Sequence, residues 1–262
     1  MRTLGIVIIG FLFIQQLSAL DVPARVFAPK EGAYVYAESS DAFDGFTKNG
    51  ITIEIWFYLL SVPEDWREEC DLIDKPYSYD FRISGNTPDD KQAFPDSIAS
   101  LQYLARSKNG GGIGGRIWLF RDDLKKWHHF AYQILGTGPI EITAFIDGKN
   151  RGRTVSNAVD GFQTSSDPLF IGGRYGYKSI NGWVDELRIS KGWRYVQFPD
   201  IKPEREFKAD QNTVALWHFD DGTNSRIYMD SSGNGHTLYA DETSFVDSKS
   251  KSVIIWGMLK KQ

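Results

Sequence analysis

The sequence predicts an all-β fold, a sandwich or barrel of many short strands. Three observations carry this. Apolar residues recur with period two in several runs, Gly, Asn and Asp punctuate those runs, and aromatic residues reach 14% of the chain. The 262 residues hold 30 Lys+Arg against 34 Asp+Glu, a formal charge of -4, so a strongly basic nucleic-acid surface is not expected. With 41% hydrophobic and 24% charged residues, the chain has the composition of a globular protein with a sizeable core.

From the N-terminus, Arg2, the apolar run Leu4 to Ile14 and the small residues Ser18 and Ala19 read as an export signal, residues 1–19. The run is shorter than the roughly 20 residues of a spanning helix, and a retained signal anchor is its alternative reading. No later stretch reads as a membrane span. The mature chain is therefore expected to be secreted, in an extracellular or periplasmic space. Its single cysteine, Cys70, excludes an internal disulfide or a cysteine zinc cluster, leaving a buried thiol or an intermolecular link.

In Ile51 to Leu59 (ITIEIWFYL), Ile51, Ile53, Ile55, Phe57 and Leu59 share one face of a strand, and Thr52, Glu54, Trp56 and Tyr58 the other. Similar runs follow at Arg116 to Arg121, Trp127 to Leu135, Ile140 to Ile146, Pro168 to Gly172, Trp183 to Ser190 and Val214 to Phe219. Asp147-Gly148 predicts a hairpin turn. Lys108 to Gly115 (KNGGGIGG) reads as a flexible loop, and Pro199 to Asp210 as a connector.

Signals for catalysis are scarce. His128 and His129 are neighbours on one strand and point to opposite faces, so they cannot chelate one metal together. Gly110, Gly112 and Gly115 satisfy G-x-G-x-x-G, but a strand follows where a phosphate site needs a helix N-terminus. Neither a P-loop nor a G-x-S-x-G elbow occurs. Glycoside hydrolysis needs two carboxylates across the scissile bond. Glu54 has no same-face partner two or four residues away and reads as an isolated solvent-facing charge, while Asp185 and Glu186 are adjacent and read as facing opposite ways. The chain is not expected to be an enzyme.

Asp220 to Asp241 is rich in oxygen donors. Asp230, Ser232, Asn234, Gly235 and Asp241 approach a calcium-loop pattern, with Ser and Asp at positions where Asp or Asn and Glu are wanted. A series of Asx turns accounts for the same residues.

The segments GAYVYAESSDAFDGFTKNGITIEIWFYL, KKWHHFAYQI, ITAFIDGKNRG and PLFIGGRYGYKSINGWVDELRISKGWRY, in that order, resemble the concanavalin A-like lectin/glucanase superfamily, specifically its laminin G-like and pentraxin-like jelly-roll domains. The resemblance covers about Val26 to Tyr195. It implies a two-sheet antiparallel jelly-roll sandwich whose rim loops or concave face bind glycans, proteins or calcium. The E-x-D-x-x-E strand of its hydrolases is absent, so the chain is similar to the binding branch. VALWHFDDG and DSSGNGHTL, which usually open such a domain, here come late. Residues 20–207 are accordingly expected to form the sandwich and residues 208–262 to complete it.

The resulting expectation is a secreted, non-catalytic module for a glycan or an extracellular protein. Arg174, Tyr175, Trp193 and Tyr195 are its ligand-binding candidates. Asp185, Asp220, Asp221 and Asp230 are candidate ligands for a structural calcium ion, with Asp185 lying beside Asp220 at a sheet margin. Pairing of Asp185 with Arg188 or Arg174 is the alternative. Trp66, Tyr77 and Tyr79 are expected in loops. A glycoside hydrolase of the same superfamily and a structural envelope component are the competing functions.

Overall fold

The computed structural model describes residues 25–27, 33–44, 50–136, 139–156, 161–195, 200–221 and 225–241. The expected signal, residues 1–19, lies outside them. The strands are β1 (Arg25–Phe27), β2 (Val35–Ala37), β3 (Ile51–Ser61), β4 (Glu69–Lys75), β5 (Tyr79–Gly85), β6 (Ser97–Arg106), β7 (Gly112–Phe120) and β8 (Trp127–Leu135). They continue with β9 (Glu141–Ile146), β10 (Lys149–Val155), β11 (Leu169–Ile171), β12 (Asn181–Lys191), β13 (Thr213–Trp217), β14 (Ile227–Tyr228) and β15 (Leu238–Ala240).

Two antiparallel sheets result. The first has order β1-β12-β3-β8-β9-β10, with β13 also paired to β12; the second has order β14-β15-β2-β11-β4-β5-β6-β7. Period two decides which side chains meet between them. Ile51, Ile53, Ile55, Phe57 and Leu59 of β3 are all buried in the core, as are Phe130, Tyr132 and Ile134 of β8. From the opposing sheet Phe81 stacks on Phe130 with ring centroids 3.9 Å apart, and Phe57 meets Phe81 edge-on. Strands of the C-terminal segment enter both sheets, β13 beside β12 and β15 beside β2.

Each of the seven runs singled out in the sequence overlaps a strand. The Asp147-Gly148 turn is also present: both residues have positive φ, 50° and 80°, as a two-residue hairpin between right-twisted strands requires. His128 and His129 face opposite ways, His128 lying 5.6 Å from Phe57 and His129 5.4 Å from Trp56.

Four expectations need correction. The glycine-rich stretch is not all loop, because β7 begins at Gly112 and its glycines pair with β6. A Cβ at Gly114 would stand 1.9 Å from the Tyr103 carbonyl oxygen, so close backbone approach selects glycine there. Tyr79 is a fully buried residue of β5 and not a loop residue. Glu54 is not solvent-facing: it is 0% exposed beneath the strap described below. Finally, Asp185 and Glu186 do not oppose each other across β12, because Glu186 is an extra residue in the pairing with β3 and has φ 46°. This bulge resets the alternation, and both carboxylates meet the segment that crosses the sheet.

Candidate functional site

The outer faces of the two sheets are treated differently. Residues 200–210, the expected connector apart from Pro199, act as a strap across the first. Phe207 is buried, with its N–H donated to Glu186 Oε2 at 2.8 Å. Arg205 lies over the rings of Trp56 and Trp127 at 4.6 and 4.9 Å. Trp56 Nε1 donates to the Glu204 carbonyl at 2.9 Å. Beneath, Arg188 donates from Nε and Nη2 to Glu54 Oε2 at 3.0 and 2.7 Å, and the Tyr195 hydroxyl donates to Glu54 Oε1. Burial pushes the Glu54 carboxyl up, but His129, Arg188 and Tyr195 outweigh it and hold it below its ordinary value.

Among the described residues no such strap crosses one register row of the second sheet. Ile227 pairs with Tyr239, Tyr239 with Tyr36, Tyr36 with Phe170, and Phe170 with Asp74. Asp74 pairs with Asp80, Asp80 with Leu104, and Leu104 with Gly114. Directly paired residues share a face, so the row crosses the whole sheet. Tyr239 is 39% exposed and Ile227 47%. Tyr36 lies 5.9 Å from Tyr239 and 6.5 Å from Phe170, so three aromatic rings stand on three successive strands. Over the far strands, Arg82, Gln102, Gly114 and Arg116 line a depression of about 320 Å³.

At mid-row the aromatic half gives way to charge. Asp71, Asp74 and Asp80 are each only 4% exposed. Arg174 reaches Asp71 Oδ2 at 3.3 Å and Asp74 Oδ2 at 3.0 Å, and its guanidinium lies 3.7 Å from the Tyr177 ring centroid. Arg106 donates to Asp80 Oδ2 at 3.1 Å, and Arg82 bridges Glu69 and Asp80. Burial pushes Asp74 up to about 7, with the neighbouring Asp71 adding to it. Asp71 is pushed up to about 6, again chiefly by burial, which Arg174 opposes.

The predicted ligand-binding residues separate. Arg174 and Tyr175 sit on the turn beside this open face, Tyr175 being 83% exposed. Trp193 and Tyr195 follow β12 on the other sheet's side, where the Tyr195 hydroxyl serves Glu54 and Trp193 lies against Gly50. The predicted calcium ligands also separate. Asp230 accepts backbone N–H groups from Leu216 and Ser232 on Oδ1 and from His236 on Oδ2, which occupies both its oxygens. Asp185 accepts from the Glu186 N–H and stands 3.6 Å from Arg205. Burial, then Glu186, push its carboxyl up to about 7, and Asp220 adds to this from just beyond β13. Exposed Asp221 follows Asp220. Among the described residues no three acidic, histidine or cysteine side chains form a group that could hold a metal ion. One calcium ion held by Asp185, Asp220, Asp221 and Asp230 does not fit this arrangement.

Sequence reasoning missed the open row because it did not assign β2, β4, β5, β6 or β15. The signal was present in β5, where Tyr79, Phe81 and Ile83 alternate with Asp80, Arg82 and Ser84. In β4 it was obscured, because a bulge between Asp71 and Ile73 shifts the register and puts Asp71 and Asp74, three apart, under one arginine.

A family model described as the concanavalin A-like lectin/glucanases superfamily matches residues 30–194. Among solved structures, the chain is similar to a Bacteroides ovatus protein proposed to bind carbohydrate. Identity is 16%, coverage 83% of this chain and 61% of that one, and the TM-score 0.52. It is also similar to the heptameric SAP-like pentraxin of Limulus polyphemus, 9% identical over 87% of this chain and 100% of that one, with a TM-score of 0.46. Domains LG4-5 of the mouse laminin alpha1 chain match at 18% identity over 70% of this chain and 47% of that one, with a TM-score of 0.40. The chain thus spans less than two thirds of the Bacteroides ovatus protein. No curated protein matches it by sequence.

Proposed function

The chain belongs to the concanavalin A-like lectin/glucanases superfamily, and on that premise we propose that it is a recognition module that holds a glycan across the open face of its second sheet without transforming it. One observation carries the reading: a single register row sets the rings of Tyr239, Tyr36 and Phe170 beside the charged side chains of Asp74, Asp80 and Arg174. Ring faces suit the apolar faces of sugars, and carboxylate and guanidinium groups suit their hydroxyls. Neighbouring strands hold the rings 5.9 and 6.5 Å apart, so one extended glycan lying along the row would meet a ring on each of three successive strands. The N-terminal apolar run supports a location outside the cytoplasm. Nothing in the reading passes through calcium.

A glycan-array screen of the purified protein, with calcium and again with chelator, tests it. Binding is expected in both conditions, and Tyr36→Ala and Tyr239→Ala should each weaken it by about tenfold. A protein that binds no glycan, or whose variants bind like the parent, overturns the reading.

A second reading, glycoside hydrolysis, is favoured by one observation: Asp74, raised to about 7, faces Asp80 across a strand pair, and a general acid needs such a proton at neutrality. Turnover of any polysaccharide, abolished by Asp74→Asn, would establish it in place of the first.

A further inference from the structure

We propose that the carboxylate cluster beneath Arg174 selects a glycan bearing a protonated amine, and that Arg174 is the cluster's own cation, which such a sugar displaces. The proposal rests on the glycan-binding reading and names the sugar class that this face prefers.

Asp71 Oδ2, Asp74 Oδ2 and Asp80 Oδ1 are buried oxygens with no hydrogen-bond donor. Arginine nitrogens stand 3.0 to 3.5 Å from them, within ion-pair distance but outside hydrogen-bond geometry. Buried acceptors in this state are costly, and native structures leave few of them. Among the described residues Arg174 is the only cation within ion-pair distance of Asp71 and Asp74, since Arg82 serves Glu69 and Asp80 and Arg106 serves Asp80.

Arg174 does not come from the sheet. It stands at one end of a turn closed by the Tyr177 N–H donating to the Arg174 carbonyl at 3.1 Å, and Tyr177 covers its guanidinium. A cation between two carboxylates and an aromatic ring shows what chemistry the cluster accepts. The carboxylates are fixed, because β4 and β5 are paired on both sides. The arginine side chain is 27% exposed and can move into solvent.

Charge then decides the ligand. A neutral group in place of Arg174 would take from Asp71 and Asp74 the guanidinium that ion-pairs with both, and an acidic group would add repulsion. An ammonium restores that charge and brings N–H donors for the Asp71 and Asp74 oxygens, which Arg174 leaves without a hydrogen bond. Phe170, paired directly with Asp74, offers an adjacent ring face for the sugar that carries the amine.

Calorimetric titration of the full chain with glucosamine oligosaccharides, their N-acetylated counterparts and glucose oligosaccharides of equal length tests this. The free-amine series should bind about tenfold tighter than the other two. Asp74→Asn should abolish that preference, so that the amine series binds no tighter than the other two, and Arg174→Ala should tighten amine binding. Equal affinity for the three series overturns the amine selectivity and leaves the glycan reading standing, whereas no binding to any glycan defeats both. A lysine peptide competing as well as the amino sugar also overturns the proposal. If Asp74→Asn lacks a cooperative melt, Arg174→Ala decides, and unchanged or weakened amine binding in that variant counts against it.

Discussion

Asp74 of β4 stands directly across from Asp80 of β5, two carboxylates facing each other in the register of an antiparallel pair. Like charges so placed repel, and burial of both adds a desolvation cost. Arg174, Arg106 and Arg82 offset this in part, which concentrates three cations and two facing carboxylates at the middle of the row.

The pH dependence of this arrangement has a definite sign. Asp74 titrates at about 7 in the fold against an ordinary 3.8. Between those values the unfolded chain has released a proton that the folded chain retains, so this carboxyl lowers stability as pH rises through that window. Asp74→Asn should therefore be more stable than the parent near pH 8, by on the order of 1–4 kcal/mol, with the gap closing toward about pH 4. Urea unfolding at both pH values checks it, and a parent more stable at pH 8 would show that the Arg174 ion pair prevails.

On the covered face, Glu54 depends on Arg188. Arg188→Met removes the cation that donates two hydrogen bonds to a carboxylate with no access to water. A loss of about 3–5 kcal/mol is expected, most of it recovered when Glu54→Gln is added. A double-mutant cycle by denaturant unfolding gives the coupling, and additive losses would contradict it.

Asp230 acts on the backbone. Its carboxylate accepts three main-chain N–H groups, so Asp230→Ala should cost about 1–3 kcal/mol, equally in calcium and in chelator. A loss confined to calcium-containing buffer would reassign the residue to an ion site.

Gly114 tests the close approach of β6 and β7. A Cβ there would meet the Tyr103 carbonyl, backbone that cannot turn aside, so Gly114→Ala should destabilise by about 1–3 kcal/mol and speed amide exchange in both strands. Gly110→Ala, where a Cβ meets nothing, carries only the strain of φ 85° and should leave that exchange unchanged.

How much was legible varied with the kind of residue. β3, β8 and β9 could be read because each alternates without interruption and packs a buried face of Ile, Phe, Tyr or Leu. β5 kept an unbroken alternation of Tyr79, Phe81 and Ile83 with Asp80, Arg82 and Ser84 and was legible but not assigned, whereas β4 was lost because a bulge interrupts its alternation. Asp185 and Glu186 were misjudged for the same reason, since strict alternation fails wherever one strand carries an extra residue. Arg174 and Tyr175 were found through the turn that follows β11, but the partners that give Arg174 its chemistry were not.

By itself the sequence determined the layered β architecture and the inner face of the long strands, because those follow from local periodicity that each strand carries alone, and it pointed to the family through the resemblance that four ordered segments carry. Only the tertiary structure decided which outer face is strapped and which is open, and which charges share one row. Those depend on strand order and register, which bring Tyr239, Phe170 and Asp80 together from distant parts of the chain through backbone pairing that no local pattern records.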